Sequence, residues 1–266
     1  MRYLPRRIWR LLLLSLHILW GIWLILRHGR CDEHGNPSPG YSDIIRRWNA
    51  RALRILHVEV HVQGTPVEET ALWVANHVSW LDIPLIAHLA PVSFLSKAEV
   101  ARWPIVGFLA RRSGTLFIER GARDAANRAL EQITWHLVRG RSVLVFPEAT
   151  TSDGRQVRRF HPRLFAAARL AHCPIQPLAL RYPGPDGQPD RRIAFIDDDT
   201  ALGSLWRILA LQRIEAHIAF CPAIHDTDRE RRELAEEAWN CVRGLVEQPL
   251  AGKAPRTDEG QPQEKS

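Results

Sequence analysis

The feature that most constrains the fold is a succession of short apolar runs separated by segments of helical period. Leu56, Val58, Val60 and Val62 alternate with His57, Glu59, His61 and Gln63, a period of two that predicts a half-buried strand ending at Gly64. Further apolar runs at 71–75, 92–95, 115–118, 143–146, 175–180, 193–196 and 216–220 read as strands. Between them, Ala126, Leu130, Ile133 and Leu137 share one helical face, with Asp124 near the start, Arg139 near the end and Gly140 as the stop. Strands alternating with such helices predict an α/β fold, a mixed and largely parallel sheet covered by helices. Towards the carboxyl end, Thr227 and Glu230 have capping-box spacing ahead of a helix reaching about Val246. The polar segment 249–266 carries Pro and Gly and is expected to form a disordered tail.

Ahead of the first strand lies material suited to a lipid surface. Residues 11–26, LLLLSLHILWGIWLIL, follow Arg2, Arg6, Arg7 and Arg10, and no small-x-small cleavage site comes after them, so the run is expected to be retained. At 1.5 Å per residue it reaches about 24 Å, short of a hydrocarbon core of roughly 30 Å, so it either embeds in one leaflet or, with Ile8 and Trp9 drawn in, spans the bilayer. In 41–55, Ile44, Ile45, Trp48, Ala52 and Ile55 recur at helical spacing while Arg46, Arg47, Arg51 and Arg54 take other positions, giving a basic amphipathic helix. It suits an anionic lipid surface, or equally a place on the flank of the domain. Trp9, Trp20, Trp23 and Trp48 fit the headgroup level. The expected organisation is a membrane-associated helical segment over 1–54, a globular domain over 55–248 and a tail over 249–266, held at the cytoplasmic face of the cell membrane.

A formal charge of +7 calls for an anionic partner, either nucleic acid, a membrane surface or an acidic substrate. The domain has no zinc spacing, aromatic RNA-binding signature or basic recognition helix, so nucleic acid is not expected. Cys31, Cys173, Cys221 and Cys241 are far apart and form no C-x-x-C pair, which predicts free thiols in a reduced compartment. His57 and His61 share a strand face with no third ligand at a matching interval, so no metal site is expected. Neither a Walker loop nor a Gly-x-Gly-x-x-Gly follows a strand, and no cofactor is expected.

The chemistry concentrates in four blocks. In the first, Asn76-His77-Val78-Ser79-Trp80-Leu81-Asp82, a turn from strand to helix brings Asp82 back under His77, where the carboxylate can fix the ring tautomer. A base oriented in this way takes a proton from an alcohol. The second block is Gly114-Thr115-Leu116-Phe117-Ile118-Glu119-Arg120, and the planar fork of Arg120 suits bidentate contact with phosphate or carboxylate. The third, Phe146-Pro147-Glu148-Ala149-Thr150-Thr151-Ser152, sits at a strand end, where α/β sheets deliver site residues. The fourth is Pro174-Ile175-Gln176-Pro177. No serine or cysteine occupies a nucleophile elbow, so attack is expected to be direct, without a covalent intermediate.

From about Val58 to Phe220 the ordered blocks resemble the glycerolipid acyltransferases of the 1-acylglycerol-3-phosphate acyltransferase family, whose members carry N-H-x-x-x-x-D, G-x-x-F-I-x-R and F-P-E-G-T. The resemblance implies transfer of a fatty acyl chain from acyl-CoA or acyl carrier protein to the free hydroxyl of a lysolipid, forming phosphatidic acid. It implies His77 and Asp82 as the catalytic pair, with Asn76, Ser79, Gly114, Phe117, Arg120, Pro147, Glu148 and Thr150 at the substrate. Three departures look like the branch that includes lyso-ornithine lipid acyltransferases: Ala149 for glycine, Glu119 for aspartate and His161 for lysine. An alternative of another class is a non-catalytic lipid-binding or membrane-tethering protein. The intact His77 and Asp82 argue against it, since binding alone needs no oriented base.

Overall fold

The computed structural model describes residues 3–29, 37–119 and 124–248. Two long helices, α1 (Leu4–His28) and α2 (Pro39–Ile55), precede the sheet. There follow β1 (Val58–Gln63), β2 (Leu72–Ala75), α3 (Asp82–Ala87), β3 (Ser93–Lys97), α4 (Ala98–Ala101), α5 (Val106–Arg112), β4 (Leu116–Ile118), α6 (Ala125–Val138) and β5 (Val143–Val145). The chain closes with α7 (Ala166–Ala171), β6 (Ile175–Arg181), α8 (Ala201–Ile208), β7 (Ile214–Phe220) and α9 (Arg231–Glu247). The strands form one seven-stranded sheet in the order β1-β7-β6-β2-β5-β3-β4. Every neighbouring pair is parallel except β6 with β7.

The central strands are apolar throughout because helices cover both of their faces. Along β2, Trp73 and Ala75 join a core with Leu53 of α2, Leu85 of α3 and Ile208 of α8. Leu72 and Val74 join the opposite core, with Ile133 of α6, Ala167 of α7 and Val242 of α9. Because β6, β2 and β5 run parallel, their carboxyl ends open on one edge of the sheet, the place where such folds carry their sites.

One stripe of α1, formed by Arg10, His17 and Gly21, is buried. The Arg10 guanidinium donates to the carbonyls of Leu209, Leu211 and Gln212, and Arg6 to that of Ala210, in the turn that follows α8. The His17 ring stacks on Trp48 of α2 with centroids 4.6 Å apart, and the Trp48 indole donates to the His17 carbonyl at 3.2 Å. A Cβ at Gly21 would come within 2.5 Å of that indole nitrogen, so glycine is what lets the two helices close.

Several sequence expectations need correction. The run 193–196 is not a strand: Ile193 and Ala194 are apolar because they are buried in a loop whose Phe195 amide donates to the Val78 carbonyl. Helix α9 begins after Glu230, which occupies the cap position itself, so Thr227 forms no capping box and is instead buried upstream. His57 has a φ of 56° and lies outside β1, leaving His61 alone on that face, stacked on His217 of β7. Cys221 and Cys241 are joined in a disulfide, with Cα atoms 6.3 Å apart: β7 and α9 bring together two residues whose separation in sequence gave no hint of contact. Cys173 is a free buried thiol. Cys31 and the segment 249–266 lie outside the described residues.

Candidate active site

His77 lies just past β2, and the turn Val78–Leu81 carries the chain into α3, whose first residue is Asp82. The expected return of the carboxylate under the ring is what the structure contains. Asp82 Oδ2 accepts from His77 Nδ1 at 2.7 Å, and also from the amides of Val78 at 2.8 Å and Ser79 at 3.0 Å. Asp82 Oδ1 accepts from the Tyr182 hydroxyl at 2.6 Å. An ionised carboxylate offers no proton, so the shared hydrogen belongs to Nδ1, and the lone pair is left on Nε2. Nε2 has no protein partner among the described residues, and the His77 side chain is 22% exposed while that of Asp82 is fully buried. The Phe146 ring stacks on the imidazole at 3.9 Å and 12°. The ring is thus fixed on one flank and one edge, with its basic nitrogen at the open side.

Strand register explains how the third block arrives there. Val74 of β2 pairs with Val145 of β5, so three residues onward His77 faces Glu148. Glu148 Oε1 accepts from the His77 amide at 2.8 Å and Oε2 from the Arg158 amide at 2.8 Å. Burial raises the Glu148 carboxyl to about 7, against the two amides and the nearby His77 and Arg158, which pull it down. Ala149 next to it has a φ of 61°, so alanine here adopts the left-handed conformation that glycine takes without strain. The following residues close over the first block: the Ser152 amide donates to the His77 carbonyl at 2.8 Å, and the Thr151 hydroxyl to the Phe195 carbonyl.

The remaining residues singled out from the sequence are spread more widely. Asn76 is buried, and its amide brackets the backbone of Leu180, donating to the carbonyl at 2.9 Å and accepting from the amide at 2.7 Å. Both of its polar atoms are therefore occupied in joining β2 to β6. Ser79 is buried, its amide donates to Asp82 Oδ2, and its hydroxyl has no hydrogen-bond partner among the described residues. Pro147 is buried and Thr150 exposed beside Glu148. Gly114 and Phe117 belong to the far edge, where β4 is separated from β2 by β3 and β5, about 14 Å at ordinary strand spacing. Gly114 has a φ of 79°, and a Cβ there would land on the Arg141 guanidinium. Arg120 lies outside the described residues. Sequence reasoning missed Tyr182, which sits 100 positions from its partner and becomes visible only once β6 is known to lie beside β2.

Known proteins resemble this chain in sequence and in fold. The profile described as Acyltransferase matches residues 57–181. A Pseudomonas aeruginosa protein described as lyso-ornithine lipid O-acyltransferase is 45% identical over 207 residues, covering 77% of this chain and 79% of its own. A Neisseria gonorrhoeae protein described as 1-acyl-sn-glycerol-3-phosphate acyltransferase is 34% identical over 202 residues, covering 73% and 77%. The fold matches the crystal structure of the 1-acyl-sn-glycerophosphate acyltransferase PlsC from Thermotoga maritima with a TM-score of 0.66 at 23% identity, over 92% of this chain and 95% of that one.

Proposed function

The chain belongs to the acyltransferase family, and on that premise we propose that it moves a fatty acyl chain from acyl-CoA or acyl carrier protein to the free hydroxyl of a lyso-ornithine lipid. The observation that carries the reaction is the His77–Asp82 contact, with Nε2 open beside it. Nε2 accepts the hydroxyl proton as the lysolipid oxygen attacks the thioester carbonyl carbon. Asp82 stabilises the imidazolium that forms. Collapse of the tetrahedral intermediate breaks the carbon–sulfur bond, and the departing thiolate takes the proton back from the ring. The ester and the free thiol are the products, and no group on the enzyme is acylated.

The ornithine headgroup is favoured by the 45% identical Pseudomonas relative and by a Rhodobacter capsulatus relative of the same description, 36% identical over 197 residues. A glycerophosphate acceptor, yielding phosphatidic acid, is the second reading, favoured by the Neisseria relative. Lipid mass spectrometry of a host lacking both activities, expressing this chain and supplied with both lysolipids, separates them. Acylation of the ornithine lipid is expected. Acylation of the glycerophosphate alone would overturn the preferred acceptor.

The site works at a membrane surface in this reading. Helix α1 is long and apolar enough to cross a membrane, and Trp9, Leu16, Leu19, Trp23 and Leu26 along it are exposed. Its buried stripe is nevertheless attached to the domain through Arg10 and to α2 through His17 and Gly21. A helix held along its side in this way suits burial in one leaflet, with the domain on the cytoplasmic face where both candidate donors are found.

A further inference from the structure

We propose that Tyr182 is a positioning residue for the His77–Asp82 pair, acting on the base through the carboxylate and never touching substrate. The proposal rests on the acyl-transfer reading for its catalytic meaning, although the coupling it describes is a property of the folded chain. The family match ends at Arg181, one residue short of Tyr182.

The two oxygens of Asp82 have divided roles. Oδ2 serves the imidazole and the amides of Val78 and Ser79, while among the described residues Oδ1 has the Tyr182 hydroxyl alone. The carboxylate is fully buried, so without that hydroxyl Oδ1 is an anionic oxygen with neither water nor a donor, a costly arrangement. The hydroxyl therefore sets the rotation of the carboxylate and draws charge away from Oδ2. It is delivered by a rigid element: Tyr182 directly follows β6, its own carbonyl accepts from the Asp190 amide at 2.8 Å, and the Asn76–Leu180 clamp ties the same strand end to β2. Burial and the neighbouring anion push the phenol well above its ordinary range, so it stays a donor throughout the working pH range. Among the described residues, Glu148 lies on the His77 amide, and Arg158 donates its amide to the same carboxylate.

The sign of the coupling follows from electrostatics. Removing the hydroxyl leaves more negative charge on the side of Asp82 that faces the ring, which favours the imidazolium. Tyr182→Phe keeps the ring volume and deletes only the donor. In this variant kcat at neutral pH is expected to fall about tenfold, with KM for donor and acceptor within about twofold, and the acid limb of the rate profile to move up by about half a pH unit. Site-specific 3-fluorotyrosine at 182, a stronger donor, is expected to move the limb the other way, which keeps the test open should the phenylalanine variant fold poorly. Repeating both in a Glu148→Gln background removes a second carboxylate near the ring.

The same displacement is read without turnover by following the His77 ring resonances against pH by NMR, with His77→Gln assigning them. Opposite displacements in the two Tyr182 variants support the proposal. Unchanged titration of the ring in both overturns it, whatever happens to thermal stability. A parent chain that acylates neither lysolipid sinks the functional reading alone, because the NMR result still decides the coupling.

Discussion

At His77 and Asp82, activity and stability separate. His77 is partly exposed and its ring makes one hydrogen bond, so His77→Ala is expected to cost little stability while lowering turnover by roughly 10²–10⁴-fold. Asp82→Ala strips the partner from two buried amides and a buried hydroxyl, each costing roughly 1–3 kcal/mol, so it is expected to lower the melting temperature sharply as well. Equal melting temperatures for the two variants would contradict this division. Glu148 brings a pH dependence of its own. Its carboxyl titrates near 7 when folded and near 4.5 otherwise, so between those values the native chain holds a proton that the unfolded chain has lost. Its contribution is full below about pH 4.5 and declines as pH rises through 7, by roughly 3 kcal/mol in all. Thermal melts from pH 4.5 to 8 are expected to show a shallower decline in Glu148→Gln than in the parent, and parallel curves would refute the assignment. The His77–Asp82 pair was legible in the sequence because both residues lie in one local turn. Tyr182 and the Glu148 latch were not, since each depends on strand register between distant segments.

At the scale of elements, the alternating and apolar runs located the sheet, and the periodic segment behind Asp124 located α6. What misled was apolar content with another cause: 193–196 is apolar because a loop is pinned over the first block. Likewise the Thr227–Glu230 spacing matches a cap that the chain does not make, since packing begins the helix later. The loop after β5 holds a testable strain. Ala149 pays the left-handed conformation without glycine's freedom, so Ala149→Gly is expected to raise stability by about 0.5–1 kcal/mol in chemical denaturation. A fall in stability would mean the methyl group holds this loop in place. At the contact of α1 with α2, Gly21→Leu is expected to part the two helices and expose Trp48, seen as a shift of tryptophan emission. Unchanged emission would show that the helices do not close through that glycine.

Across the whole molecule, one edge of the sheet gathers the oriented base while α1 offers an apolar face to the surroundings. Replacing exposed Leu12, Leu16 and Leu19 by serine is expected to release the protein from anionic vesicles at least about 100-fold, at roughly 1–2 kcal/mol per buried leucine, with the domain still folded. Retained sedimentation with vesicles would point to another attachment. The Cys221–Cys241 pair reports the compartment. In the folded structure the two are bonded, so a domain on the cytoplasmic face requires that the pair be reduced there, and rapid alkylation in living cells is then expected to label both sulfurs. Resistance to labelling in cells would place the domain on an oxidising side. Most direct of all is acyl transfer by membranes carrying either the parent chain or His77→Ala at matched abundance, supplied with lyso-ornithine lipid and a labelled thioester donor. The oriented imidazole predicts labelled product from the parent and a rate near background from the variant; equal rates from the two would contradict it.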